Sequence, residues 1–223
     1  MSLTNVEKAS SSGERTLPKK GMRTAVLTGL IDVGTHEREF KGEKKKPARQ
    51  FIPVFTLTKD TYETEEGEVQ MRIQPFPLNL MPGATRGTYF NFIQALDPDG
   101  EIVPGGAGDI TKLIGKGCLL NITHTEPKGD EGTVYAKISG YSAIPEGFDV
   151  GETDGKTLFF DMDDPDPKVF QGFPDFIKAF VRSSVGYVGS KTEELLESES
   201  GASSPSPKAD PNDLPDEDED SPV

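Results

Sequence analysis

Arg23-Thr-Ala-Val-Leu-Thr-Gly-Leu-Ile-Asp-Val33, followed by Gly34, and Arg49-Gln-Phe-Ile-Pro-Val-Phe-Thr-Leu57 are both rich in β-branched and apolar residues. Each reads as a β-strand, because such side chains fit a pleated surface. Between them lies a basic turn, with Arg38, Lys41, Lys44, Lys45, Lys46 and Arg49 set against Glu37, Glu39 and Glu43. This is the densest positive charge in an otherwise acidic chain. A cationic loop on a twisted sheet can hold a polyanion, and nucleic acid is the commonest one. Lysines in a turn also keep a sheet edge soluble and discourage strand pairing, so charge alone leaves both readings open.

The acidity of the whole chain says little about its folded part. Of the net charge of −14, residues 192–223 supply −10, from eleven carboxylates and the single cation Lys208, leaving −4 elsewhere. Hydrophobic residues amount to 33%, low for a chain packed from end to end, and the shortfall lies in the two ends. The 18 prolines and 24 glycines favour a turn-rich β protein over a helical bundle. The sole cysteine, Cys118, excludes a disulfide framework and a cysteine-based zinc site within one chain, and reads as a small buried residue. A reducing, cytoplasmic setting fits. Met1–Ser12 lacks the apolar segment of a secretory signal, and no apolar run reaches membrane-spanning length, so no membrane partner is expected.

Outward from the first two strands, residues 1–20 read as a flexible arm. Pro53, inside the second strand, cannot donate to a ladder and belongs on a free edge or at a bulge. Thr58–Gly67 reads as an acidic connection. A third strand follows, in which Val69, Met71 and Ile73 alternate with Gln70, Arg72 and Gln74, so Arg72 points away from the core. Thr85–Leu96 reads as a helix with Tyr89, Phe92, Ile93 and Leu96 on one face, stopped by Asp97-Pro-Asp-Gly100. Asp109 suits the N-cap of a short turn over 110–114 closed by Gly115. Cys118–Thr125 and Thr133–Ala143 read as strands four and five, joined by a polar hairpin loop, 126–132, that carries Lys128 among three acids. Three strands, a helix between strands three and four, then two strands is the order of the five-stranded oligonucleotide- and oligosaccharide-binding barrel, the OB-fold. The fold class expected is therefore mainly β, with this barrel over residues 21–148.

Residues 149–190 form an extension with a helix at 174–183, where Pro174 and Asp175 suit the first turn and Phe173, Phe176, Ile177 and Phe180 make an apolar face. That face belongs on the domain's own core, or in a partner groove or dimer contact. Lys191–Glu197 has the composition for one more helical turn. The composition of residues 191–223 predicts a disordered acidic tail.

Leu30-Ile-Asp-Val-Gly-Thr-His36, Phe40-Lys-Gly-Glu43, Pro47-Ala-Arg-Gln-Phe51 and Phe55-Thr-Leu57 resemble the opening of a family of tailed-phage single-stranded DNA-binding proteins. Asp109-Ile-Thr-Lys-Leu-Ile-Gly-Lys-Gly-Cys-Leu-Leu-Asn-Ile-Thr-His124, Tyr135-Ala-Lys-Ile138 and Ile144-Pro-Glu-Gly147 resemble its second half. The resemblance spans about residues 22–148. It implies an OB-fold core that coats single-stranded DNA in replication or recombination, in a bacterial host's cytoplasm, without a catalytic motif or cofactor. An acidic tail is usual in replicative single-strand binders, where it recruits other replication proteins. Here Asp216, Glu217, Asp218, Glu219 and Asp220 would take that role. Pro53, the Phe-rich helix and the long tail depart from the family pattern.

Binding unpaired strands without sequence preference needs cations along the phosphates and flat side chains for the bases. The candidate phosphate contacts are Arg38, Lys41, Lys44, Lys45, Lys46 and Arg49, with Arg72, Lys128 and Lys137. Tyr135, beside Lys137 and alternating with core positions, is the first stacking candidate and Phe40 the second. Phe51 and Phe55 read as core and Tyr62 as surface. Each candidate also has a plain reading: Lys137 as strand polarity, Arg72 as the partner of a nearby acid. His36 and His124 lie in different elements, and Asp161, Asp163, Asp164 and Asp166 lack the glycine of a calcium loop, so no metal site is expected. No phosphate-binding loop or nucleophile elbow is present, so an enzyme is the least supported class. Two alternatives remain: a mediator that anneals strands, and a protein-interaction adaptor built on the Phe-rich helix and acidic tail.

Overall fold

A computed structural model describes residues 16–65, 67–126 and 134–198. The first two strands run further than their apolar cores suggest: β1 spans Gly21–Phe40 and β2 spans Glu43–Thr64. The region 38–49, expected as a loop, is therefore mostly ladder, with Arg38 opposite Lys45, Glu39 opposite Lys44 and Phe40 opposite Glu43. The turn itself is only Lys41-Gly42, with φ of 52° and 77°. Two consecutive positive φ values are what a two-residue hairpin loop needs to match the twist of its strands, and glycine supplies the second at no steric cost. The expected acidic connection 58–67 is likewise strand, since β2 continues to Thr64 and β3 (Gly67–Ile73) begins just after.

The remaining elements are β4 (Leu78–Asn79), α1 (Thr88–Leu96), two 3-10 turns (Pro104–Gly106 and Ile110–Leu113), β5 (Gly117–His124), β6 (Ala136–Ser142), β7 (Leu158–Phe160), α2 (Pro167–Gln171), α3 (Asp175–Arg182) and α4 (Lys191–Ser198). The protein is mainly β. One seven-stranded sheet has the order β3-β2-β1-β5-β6, with β4 against β2 and β7 against β1. Every pair on that path is antiparallel, whereas β7 runs parallel to β1. The sheet is open, with β3 at one end of the path and β6 at the other. Pro53 is buried and paired with Leu30, and on its other side it falls between the β4 partners of Gln50 and Phe51 and the β3 partner of Phe55. Its missing N–H interrupts no ladder there.

The inner face carries Ala25, Leu27, Leu30, Phe51, Phe55, Leu57, Met71, Ile73, Leu120, Ile122 and Ile138, all buried. On it α1 lays Tyr89, Phe92, Ile93 and Leu96. The Phe92 ring meets Phe51 at 5.6 Å, Tyr141 at 5.8 Å and Phe55 at 6.3 Å. Buried Asp97 ends α1 by accepting from the backbone N–H groups of Glu101, Ile102 and Val103 at 3.1, 3.0 and 2.8 Å. Asp109 caps the second 3-10 turn through the Thr111 N–H at 3.0 Å, as its position suggested.

The outer face is divided. Ile31, Val33, Ile52 and Val54 form a second core with Phe160, Met162, Phe170, Phe173, Ile177, Val181, Tyr187 and Leu196. The middle of β1 and β2 is thus buried on both sides, which explains runs that are apolar without alternation. The helix expected at 174–183 docks on its own domain, except Phe176, which stays 65% exposed. The tail boundary expected at residue 191 is corrected: α4 belongs to the fold, with Leu196 fully buried and the Arg182–Glu197 ion pair at 2.7 Å joining it to α3. The other half of the outer face is polar, with Thr24, Thr28, Thr56, Thr58, Gln70 and Arg72, and is crossed by residues 148–157. No helix among the described residues is long and apolar enough to cross a membrane.

Candidate nucleic-acid interface

The residues nominated from the sequence fall into separate places. Arg38, Lys41, Lys44, Lys45 and Lys46 gather on the outer third of the β1–β2 hairpin, beyond the last strand neighbour on either side. Period-two alternation puts Lys44 and Lys46 on one face of this ribbon and Lys45, opposite Arg38, on the other, with Lys41 at the tip. All four lysines are exposed and Arg38 is half-buried. Residues 37–46 hold five cations and three anions, so the ribbon is net +2. Lys45 is held by Glu43 at 2.6 Å, and Glu39 faces Lys44 across the strands. Phe40 is the last residue of β1, and its side chain lies outside the described part.

Arg49, nominated as a phosphate contact, is engaged by carboxylates of its own chain. Its guanidinium donates to Asp32, to Asp163 at 2.8 Å and to Asp161 at 3.4 Å. These charge-assisted hydrogen bonds, Asp32 first, raise the guanidinium's pKa above its ordinary value. Asp32 also accepts from the Met162 backbone N–H at 3.3 Å, so one carboxylate ties the root of the ribbon to the C-terminal extension. Asp161 and Asp163 therefore serve a guanidinium, and Asp166 caps α2 by accepting from Lys168 N–H at 2.8 Å. Among the described residues no group of three His, Cys, Asp or Glu is placed to hold a metal ion. Arg72 is outward, as expected, and is engaged by Asp154 at 3.3 Å and by the Lys156 carbonyl at 3.1 Å.

Tyr135 and Lys137 stand together, exposed, at the start of β6, where Lys137 pairs with Thr123. Ile122, the next residue back, pairs with Gly21, the first residue of β1. The pair is therefore at the opposite end of β1 from the basic ribbon, about 60 Å away along the contour of that strand. Lys128, the acidic residues 216–220 and the arm 1–15 lie outside the described residues.

The histidines do not meet. His36 is buried at the ribbon's root, its Nε2 donating to the Val33 carbonyl at 2.8 Å and its ring stacked on Phe180 at 4.1 Å. Burial pulls its pKa below the ordinary value. His124 Nε2 donates to the Pro18 carbonyl at 2.8 Å. Cys118 is buried in the inner core, which pushes its thiol up to about 12 and keeps it protonated. Sequence reasoning missed the role of Asp32 and the polar half of the outer face. The second had a visible signal: Thr24, Thr28, Thr56 and Thr58 recur on strands whose other positions are apolar. Comparison of the chain with protein-family models and with curated protein sequences gives no match.

Proposed function

We propose that this protein binds single-stranded DNA without sequence preference, with the basic β1–β2 ribbon as its principal phosphate contact and no catalytic activity. The observation that carries the reading is the ribbon: a two-stranded arm with no further strand against either edge among the described residues, and cations on both faces, in an otherwise acidic chain. Such an arm can lie along a backbone from either side. The strand order supports an OB-type barrel, since β3-β2-β1-β5-β6 is the order of that fold opened between its third and last strands, with α1 packed beside β6 at the opening. Tyr135 and Lys137 would supply a stacking surface at the far end, and the resemblance over residues 22–148 points the same way. The role in replication or recombination, and recruitment of partner proteins by residues 216–220, follow from that resemblance.

The test is a fluorescence-anisotropy titration with labelled oligo-dT and with matched duplex at two salt concentrations. Tighter binding to oligo-dT is expected, with a slope of log affinity on log salt of about −0.7 per phosphate neutralised. Replacing Lys44, Lys45 and Lys46 with glutamate should abolish it; an unchanged affinity in that variant, or no binding by the unaltered protein, overturns the proposal. An annealing mediator predicts larger assemblies on DNA, which light scattering resolves. The adaptor reading is weakened by the burial of Phe173 and Ile177, which leaves Phe176 as the exposed ring of the expected apolar face.

A further inference from the structure

The polar half of the outer face is covered by a segment that holds it the way an anionic ligand would. Residues 148–157 lie over β2 and β3 without forming helix or strand. Thr58 Oγ1 donates to the Val150 carbonyl. Gln70 Nε2 donates to the Glu152 carbonyl at 2.8 Å, and Gln70 Oε1 accepts from Asp154 N–H at 3.0 Å. Arg72 reaches the Asp154 carboxylate and the Lys156 carbonyl, and Lys59 Nζ reaches the Asp149 carbonyl at 3.4 Å while lying 5.3 Å from the Phe148 ring centroid. Apart from the one to Gln70 Oε1, each of these hydrogen bonds sets a sheet donor against an oxygen of the segment.

Two features separate this cover from the one over the apolar half. First, the face beneath it is built of threonine, glutamine and arginine, a surface patterned for water or a polar ligand rather than for permanent burial. Second, the strap itself is shallow. Asp149, Glu152, Asp154, Gly155, Lys156 and Thr157 are exposed, and close packing is confined to Val150 against Gly117 and Gly151 against Thr58. A segment held by exposed hydrogen bonds with few apolar contacts opens at low free energy.

We propose that residues 148–157 are a displaceable acidic strap and that Thr58, Lys59, Gln70 and Arg72 beneath it form a second phosphate-binding track, uncovered when single-stranded DNA binds. The carbonyl and carboxylate oxygens that the strap presents are replaced by non-bridging phosphate oxygens on the same donors. The inference rests on the single-strand reading above. It extends the contact surface from the ribbon onto the outer face of β2 and β3.

The full chain tests it by hydrogen exchange with mass spectrometry, with and without saturating oligo-dT, together with two substitutions. Amides of 150–156 should exchange faster in the complex. Asp154→Asn should tighten oligo-dT binding, by up to about tenfold where a tenth of the molecules are open. Arg72→Gln should weaken it and reduce the salt slope by about 0.7. A strap that is unchanged or better protected in the complex overturns the inference in the unaltered protein, whatever the variants do to folding. Binding that the ribbon variant abolishes while the strap stays protected rejects the strap and keeps the ribbon; no binding by the unaltered protein rejects both.

Discussion

At the scale of single residues, Arg49 illustrates how a charge changes meaning once its neighbours are known. In the sequence it completes a basic run; in the fold it is the hub of Asp32, Asp161 and Asp163, the last two more than a hundred positions away. No local pattern announces such a partner. Arg49→Met should lower stability by about 1.5–3 kcal/mol in urea unfolding, the range for hydrogen bonds to charged groups, because it leaves Asp32 only partly satisfied. A loss of oligo-dT affinity as large as that of a ribbon lysine variant would contradict this assignment. His36 gives a pH dependence with a definite sign. Its folded pKa is depressed by burial below the ordinary 6.5, so the unfolded chain binds the extra proton first. Its stabilising contribution is full above the unfolded value and falls as pH drops through 6.5 towards the folded pKa. Thermal unfolding followed from about pH 7.5 to about pH 5.5 should show a decline that His36→Gln flattens. Tyr135→Ala should cost about 1–3 kcal/mol of oligo-dT binding if a base stacks there, with the melting temperature unchanged because the ring is 53% exposed.

At the scale of elements, period-two alternation read β3 and β6 well because each has one apolar, buried face and one polar face. The helical spacing of Tyr89, Phe92, Ile93 and Leu96 read α1 for the same reason. The hairpin was read too short. Lysine and glutamate are poor strand formers, so the outer ribbon carries no strand signal; its pairing is propagated from the apolar root and closed by the Lys41-Gly42 turn. Gly42→Val should therefore disorder the ribbon at a cost of about 1–2 kcal/mol, the penalty for a side chain in the left-handed region. Chemical shifts of residues 37–46 would move while those of the inner core stay fixed. The strap was invisible in the sequence because it has no periodicity of its own and is defined by what it covers.

At the scale of the molecule, the expected boundary after residue 148 does not separate two folding units. Removing residues 158–198 would strip the cover from Ile31, Val33, Ile52 and Val54. A chain ending at residue 157 should bind the dye ANS and aggregate, whereas one ending at 198 should unfold as the full chain does; a soluble, cooperatively melting 1–157 would contradict the two-faced core. The parallel pairing of β1 with β7 has a further consequence, for synthesis. Ile31 meets Phe160 in register, so the ribosome must add well over a hundred residues before the first strand gains that neighbour. At roughly 5–20 residues per second the nascent chain carries a naked greasy surface for on the order of ten seconds. During that interval nothing from the protein's own carboxyl-terminal part shields it.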